Sequence, residues 1–255
     1  MKIQHQLKII SNKKITDKLY HLVLEHGKLA AQVKPGQFVE VRIQESLEPF
    51  FRRPFSVFRS QKAVEIFYEV RGKGTGILSS QVKGAMLDVM GPLGTAFTLP
   101  AKKIKQVVMI GGGIGVAPFM ALSDALKNRG HDLLLLYGGR SKEFTFNMAE
   151  FKKNGCKVFI STDDGSVGVK GRVSELFDKI EINPDTTMLY TCGPRPMMAS
   201  VQKFAQEHGL KGQCSCEEVM ACGVGVCLGC VVKTTAGYKT VCHDGPVFDL
   251  HEIVW

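Results

Sequence analysis

The sequence predicts a multidomain α/β plus β chain: an antiparallel β-barrel, then a parallel α/β nucleotide-binding domain, then a small C-terminal module held by cysteines. Three observations predict it. Short, partly alternating runs rich in Val, Ile, Phe and Tyr fill residues 1–100. Continuous apolar strands alternate with helix-like stretches over residues 101–210, as in parallel sheets covered on both faces. Six of the eight cysteines (Cys214, Cys216, Cys222, Cys227, Cys230 and Cys242) fall within residues 211–255.

Taken in order, strands are expected at residues 2–11, 18–25, 37–43, 55–58, 64–70 and 86–90. Pro35-Gly36, Pro49, Arg71-Gly72, Lys83-Gly84 and Gly91-Pro92 supply the turns between them. Six such strands close into a small barrel, which removes exposed edges. Leu99-Pro100-Ala101 reads as a linker. A continuous apolar strand at 106–110 then runs through a glycine turn into a helix at 117–128, ending before Gly130. Further buried strands are expected at 132–137, 157–161 and 187–191, with helices at 173–179 and 195–207. Beyond residue 211 only 231–234 and 239–242 read as regular structure. A piece that short needs a metal staple.

Composition excludes several classes. With 255 residues, 44% hydrophobic and 22% charged, the chain can bury enough apolar surface to offset its entropy, so it is not disordered. The longest apolar candidate, residues 109–122, is interrupted by Gly111, Gly112, Gly113, Gly115 and Pro118, so no membrane span is expected. Lys2, Gln4, His5 and Gln6 leave no apolar core for a signal peptide, and a cytoplasmic chain is expected. The cysteines therefore call for an explanation other than disulfides. Lys and Arg number 33 against 24 Asp and Glu, a net charge of +9. The basic residues are spread in pairs, such as Lys13-Lys14 and Lys152-Lys153, without a basic arm, which argues against nucleic acid and for anionic cofactors.

The cysteine spacing carries chemistry. Cys222, Cys227 and Cys230 stand as C-x4-C-x2-C, with Cys242 as a distant fourth, the spacing of plant-type [2Fe–2S] ligands. Gly223, Gly225 and Gly229 give the loop backbone freedom, and their N–H groups can approach a negatively charged cluster. A zinc site would instead prefer two C-x2–4-C knuckles, and only Cys227 and Cys230 form a short pair. Cys214 and Cys216 read as packed or surface thiols.

Gly111, Gly112, Gly113 and Gly115, with Pro118, follow a strand and open a helix, where amides and the helix dipole favour phosphate. This is not the G-x-G-x-x-G fingerprint, which would need glycine where Val116 stands. Arg53-Pro54-Phe55-Ser56 and Gly74-Thr75 can together grip a diphosphate. Cys192-Gly193-Pro194 ends the last parallel strand, the side on which open α/β sheets bind ligands. The seven histidines, His5, His21, His26, His131, His208, His243 and His251, form no metal-ligand spacing, and no G-x-S-x-G occurs.

In this order the motifs resemble the ferredoxin–NADP reductase superfamily. Its R-x-[YF]-S pattern matches Arg53–Ser56, G-x-G-x-[GA]-x-x-P matches Gly111–Pro118, C-G-P matches Cys192–Pro194, and Thr162-Asp163-Asp164-Gly165-Ser166 is a similar stretch. The run Glu217–Gly223 and the closing residues 241–248 resemble, more narrowly, the iron–sulfur electron-transfer subunits of class 1B, NAD-dependent dihydroorotate dehydrogenases.

The resemblance implies an FAD-binding barrel over residues 1–100, using Arg53, Pro54, Phe55, Ser56, Tyr68, Glu69, Val70, Gly74 and Thr75. It implies an NAD-binding domain over 101–210, with NAD at Gly111, Gly112, Gly113, Gly115, Pro118, Cys192, Gly193 and Pro194. A [2Fe–2S] domain follows over 211–255, with Cys222, Cys227, Cys230 and Cys242 as ligands. The partner it implies is an FMN-containing catalytic subunit, two of each forming a heterotetramer, in pyrimidine biosynthesis. Electrons would pass from FMN through the cluster and FAD to NAD+, with no side-chain acid or base. Phe55 stands where the superfamily often has tyrosine, and Cys214 and Cys216 lie outside the pattern. A related subunit linking NADPH to ferredoxin or sulfur compounds is the alternative, since Arg140-Ser141 can meet a 2′-phosphate. A zinc-stapled scaffold is the non-enzymatic one.

Overall fold

The computed structural model describes residues 4–25 and 27–255. The first two residues of the strand expected at 2–11, the Lys2 end of the N-terminal stretch and His26 lie outside the described residues.

The N-terminal strands are β1 (Gln4–Lys14), β2 (Leu19–Leu24), β3 (Phe38–Arg42), β4 (Arg53–Ser56), β5 (Val64–Glu69) and β6 (Met86–Leu93). They form one antiparallel sheet in the order β4-β3-β6-β1-β2-β5. Alternation drives the curl. Leu7 and Ile9 on β1 are buried while Gln6 and Lys8 are exposed, so one face packs inward with Leu22, Val39 and Ile66. Edge strands β4 and β5 nearly close the barrel: Phe58 N–H donates to Glu65 O at 2.9 Å, and Glu65 N–H to Arg59 O at 2.8 Å. Two short helices, α1 (Gly27–Ala30) and α2 (Lys73–Ser79), join strands. The sequence reading expects only a turn at α2. Its glycines mask the helix, which Thr75 caps by accepting the Gly72 N–H at 3.3 Å.

The second sheet contains β7 (Gln106–Gly112), β8 (Asp132–Gly139), β9 (Lys157–Thr162), β10 (Val169–Lys170), β11 (Thr187–Cys192) and β12 (Lys211–Ser215), all parallel. Helices α3 (Pro118–Leu126), α4 (Met148–Lys153) and α5 (Arg195–Glu207) lie between them, and Val173–Lys179 is a 3-10 helix. The helix α4 is unforeseen because six residues are too few to show a helical period.

After β12 comes a hairpin, β13 (Val231–Thr234) and β14 (Gly237–Thr240), then β15 (Val247–Asp249). The last strand pairs antiparallel with β12, giving the order β10-β9-β8-β7-β11-β12-β15. Residues 211–215 and 247–249 are therefore sheet strands, where the sequence reading expects little regular structure. Both segments are short, the first containing Gly212 and Ser215, and they are ordered by neighbours rather than by their own propensity. The strand expected at 239–242 stops at Thr240, whose N–H and Oγ1 both bond Asp244 Oδ2, at 2.7 and 2.8 Å, and turn the chain.

One apolar cluster crosses from barrel to sheet, joining Leu19, Phe58, Phe67 and Phe97 to Met109, Phe119, Phe146 and Tyr190. On the opposite face, Phe38 and Leu93 share a cluster with Met220, Cys230 and Cys242. No helix among the described residues is long and apolar enough to cross a membrane.

The turn after β9 depends on one glycine. Gly168 has φ +71°, and a Cβ there would lie 2.0 Å from the Ile160 carbonyl oxygen. Gly168→Ala is expected to cost about 3 kcal/mol, from left-handed strain and backbone displacement, seen as a lower urea midpoint.

Candidate functional site

Two cavities lie on the seam between barrel and sheet. The larger, of about 870 Å³, has Gly112, Gly113, Gly115, Gly193 and Pro194 in its wall. The smaller, of about 240 Å³, has Arg53, Pro54, Phe55, Ser56, Tyr68 and Thr75 in its wall. Glu69, Arg71, Ile114 and Glu217 line both, so the cavities meet. Val70 faces the larger one. Gly74, Gly111, Pro118 and Cys192 are not themselves wall residues of either cavity.

The glycine turns of the large cavity are interlocked. A Cβ on Gly115 would sit 2.6 Å from the Cys192 carbonyl oxygen and 2.7 Å from Gly193 Cα. One on Gly112 would sit 2.8 Å from Pro194 Cδ, and Gly193, at φ +154°, would bring one within 2.9 Å of Gly112 N. Gly111 packs under Val116, and Pro118 starts α3. Tyr137 Oη donates to Phe144 O at 2.7 Å and lies 3.0 Å from Gly113 O, pinning the first turn. Cys192 is fully buried, and burial holds its thiol far above its ordinary range.

In the small cavity, the guanidinium of Arg53 lies over Gly74, where a Cβ would come within 2.9 Å of Nε. Arg53 Nη1 donates to Phe51 O at 2.6 Å. Thr75 Oγ1 accepts the Arg71 N–H at 2.9 Å. The two segments read separately in the sequence thus meet. Tyr68 stacks on Tyr20 and meets Phe55 edge-on at 5.7 Å, while its hydroxyl donates to Asn12 Oδ1 at 3.0 Å. Burial raises the Tyr68 hydroxyl well above its ordinary value, so it stays neutral.

Sequence reasoning missed Arg71, Arg172 and Ile114 as wall residues, since nothing in their spacing marks them. It quoted Glu217 only within a family run. Glu217 is solvent-exposed on this wall; the protein around it raises its carboxyl above the ordinary range, with Arg71 opposing that rise. Arg71 also pairs with Glu69, at 2.7 Å.

The C-terminal cysteines fall into two thiol pairs. Cys227 N–H donates to Cys222 Sγ at 3.4 Å, and Cys242 N–H to Cys230 Sγ at 3.4 Å. Gly225 N–H reaches Cys242 Sγ at 3.1 Å. Gly223 and Gly225 have φ +68° and +80°, as does Leu228 at +56°. Burial raises the Cys222 thiol, but the N–H groups of Val224, Cys227 and Val226 and the Cys227 side chain outweigh it, bringing it down to about 6. Burial and the neighbouring Cys230 thiol push Cys242 up to about 12. Cys227 is exposed, whereas Cys230 and Cys242 are buried.

Among the described residues no three Cys, His, Asp or Glu side chains converge on one point suited to a single ion. A [2Fe–2S] cluster asks for two thiolates on each of two irons, and the paired donors with inward N–H groups fit that demand better than a tetrahedral zinc site. Cys214 and Cys216 are buried, their sulfurs 4.0 Å apart. Beneath the loop, Glu40 is fully buried with neither carboxylate oxygen bonded, and burial raises it to about 7 against the pull of Arg52.

Known proteins match this arrangement. The family described as the iron–sulfur cluster binding domain of dihydroorotate dehydrogenase B matches residues 217–254, and the oxidoreductase NAD-binding domain family matches 109–203. A relative in Geobacillus thermodenitrificans, named dihydroorotate dehydrogenase B (NAD(+)), electron transfer subunit, is 38% identical over 98% of each chain. A protein of the same name in Lysinibacillus sphaericus is 37% identical over 96% of each. Among solved structures, the NADH-dependent reduced ferredoxin-NADP oxidoreductase of flavin-based electron bifurcation has a TM-score of 0.87 at 29% identity, covering 98% of this chain and 90% of that one. A ferredoxin NADP+ reductase from Neisseria gonorrhoeae shares the fold at TM-score 0.69 and 19% identity, covering 82% of this chain and 93% of that one. With relatives this similar along nearly its whole length, the chain belongs to the family of electron transfer subunits of NAD-dependent dihydroorotate dehydrogenase B.

Proposed function

We propose that this chain carries electrons from an FMN-bearing dihydroorotate dehydrogenase catalytic subunit to NAD+ in pyrimidine biosynthesis, working in the cytoplasm as part of a heterotetramer. The observation that carries the reading is the meeting of the two cavities at Glu69, Arg71, Ile114 and Glu217, with the cysteine loop starting just beyond their wall. Met220, two residues before Cys222, lines the small cavity. A flavin exchanges electrons singly with an iron–sulfur centre and as a hydride with nicotinamide, which is why it belongs between them.

Each cofactor has its holders. Arg53, Pro54, Phe55, Ser56, Tyr68, Glu69, Val70, Gly74 and Thr75 bind FAD, the guanidinium and the Thr75 turn taking the diphosphate. The turns Gly111–Gly115 and Cys192–Pro194 take the nicotinamide nucleotide, their bare glycines letting the backbone approach it. Pro118 sets the start of α3 behind the first turn. Cys222, Cys227, Cys230 and Cys242 hold the [2Fe–2S] cluster. Residues 1–100, 101–210 and 211–255 serve as the three working parts, the last borrowing strands from the second. No side-chain acid or base is assigned.

One observation favours a second reading. Arg140 and Arg172 both line the large cavity, and guanidinium groups suit a 2′-phosphate, in keeping with a reductase that uses NADPH. Anaerobic titration decides: the purified protein is expected to show flavin and iron–sulfur absorption that bleaches with NADH, and to co-purify with a flavin-bearing partner. Bleaching by NADPH alone supports the second reading. A colourless, zinc-containing protein overturns both.

A further inference from the structure

Arg59 follows the flavin-side strand β4 by three residues, and its backbone is fixed where the barrel closes, its carbonyl accepting the Glu65 N–H at 2.8 Å. Its guanidinium leaves the barrel. Nε donates to Asp124 Oδ2 at 2.6 Å and Nη2 to Asp124 Oδ1 at 3.1 Å, a two-point fork onto helix α3. Nη1 lies 3.5 Å from Glu150 Oε2 on α4. Asp124 is itself held, accepting from Asn154 Nδ2 at 2.6 Å, and that same nitrogen donates to Ser123 Oγ at 2.9 Å. Arg59 and Asp124 are only 20% and 11% exposed, so water screens the pair weakly.

The two ends of this fork are what makes it informative. Arg59 continues the strand carrying Arg53–Ser56, and α3 begins directly behind the turn Gly111–Val116. Nearby on the seam Phe58, Phe67 and Phe146 pack together, with the His21–Glu65 pair stacked on Phe67. Apolar contact resists separation but not sliding, whereas a bidentate fork fixes direction and distance. Hydride passage is sensitive to displacements of about 1 Å, which cost on the order of 100-fold.

We propose that Arg59 is a positioning residue for the hydride step, clamping the flavin strand to the helix behind the nicotinamide turn. The inference rests on the functional reading above. In the purified holoprotein, Arg59→Met is expected to keep flavin and iron content and to change the Kd for NADH by less than about twofold. It is expected to slow flavin reduction at saturating NADH by roughly 10- to 100-fold, and to weaken the long-wavelength flavin–nicotinamide charge-transfer absorbance. Arg59→Lys, which keeps the charge but not the fork, should fall between. Asp124→Asn tests the other end without removing volume and should show the same loss of charge-transfer absorbance. Unchanged rate and absorbance in Arg59→Met overturn the clamp, as does a loss explained wholly by missing flavin in all three variants. Failure of NADH to reduce flavin in the unaltered protein overturns the functional reading instead.

Discussion

Serine in place of Cys230 or Cys242 is expected to abolish iron binding while leaving flavin bound. Both thiols are buried, and each accepts a backbone N–H, at 3.4 Å from Cys242 and 3.1 Å from Gly225. A serine hydroxyl is a harder, weakly acidic donor on a shorter bond, so it neither reaches the same point nor ionises there. Outer partners of a metal site alone are worth about 10- to 100-fold in affinity, and a direct ligand more. Iron per chain should fall to background, the iron–sulfur absorption should vanish, and NADH should still bleach the flavin. Electron passage to an added one-electron acceptor through the cluster should stop. Cys214→Ser is the control: its sulfur lies 4.0 Å from that of Cys216, outside the C-x4-C-x2-C set, and iron content should hold. Equal iron in the Cys242→Ser protein would reject the ligand assignment.

The second large effect belongs to Gly115. The alanine methyl would press on backbone, the Cys192 carbonyl at 2.6 Å and Gly193 Cα at 2.7 Å, neither of which can rotate away. The two turns must part. Overpacking of this kind costs about 1–3 kcal/mol, and here it falls on the surface proposed to take the nucleotide. Gly115→Ala is expected to weaken NADH binding roughly 10- to 100-fold, with flavin and iron unchanged, as read by stopped-flow reduction across NADH concentrations. Gly113→Ala gives the contrast. Its Cβ meets nothing within 4 Å, so only the φ of +54° opposes it, and the loss should be smaller.

Much of this was legible because the signals were local. Alternation in Gln6–Ile9, the continuous apolar strand into Gly111–Gly115, and the Cys222–Cys230 spacing each reflect chemistry within a few residues. What stayed hidden depends on distance. Arg59, Asp124 and Asn154 are far apart in sequence, and no spacing rule links an arginine after a strand to a carboxylate on a later helix. Glu217 and Arg71 become wall residues only once barrel and sheet touch. Strands β12 and β15 are similar: Gly212 and Ser215 give poor strand signals, and pairing with β11 and with each other orders them. The helix α2 was masked by Gly72, Gly74 and Gly76, residues that usually break helices.

Strand β15 has a consequence for how such chains can be recombined. The chain leaves the parallel sheet at Ser215, builds the cysteine loop, and returns at Val247 to bond the strand it left. The cysteine segment is thus not an interchangeable cassette. Splicing in a foreign loop between Ser215 and Val247 preserves both attachment points, whereas cutting the gene after Ser215 exposes the outer backbone of β12. That bare row of N–H and C=O groups would template pairing between copies, so a trimmed nucleotide-binding fragment should aggregate even though its own fold is complete on paper.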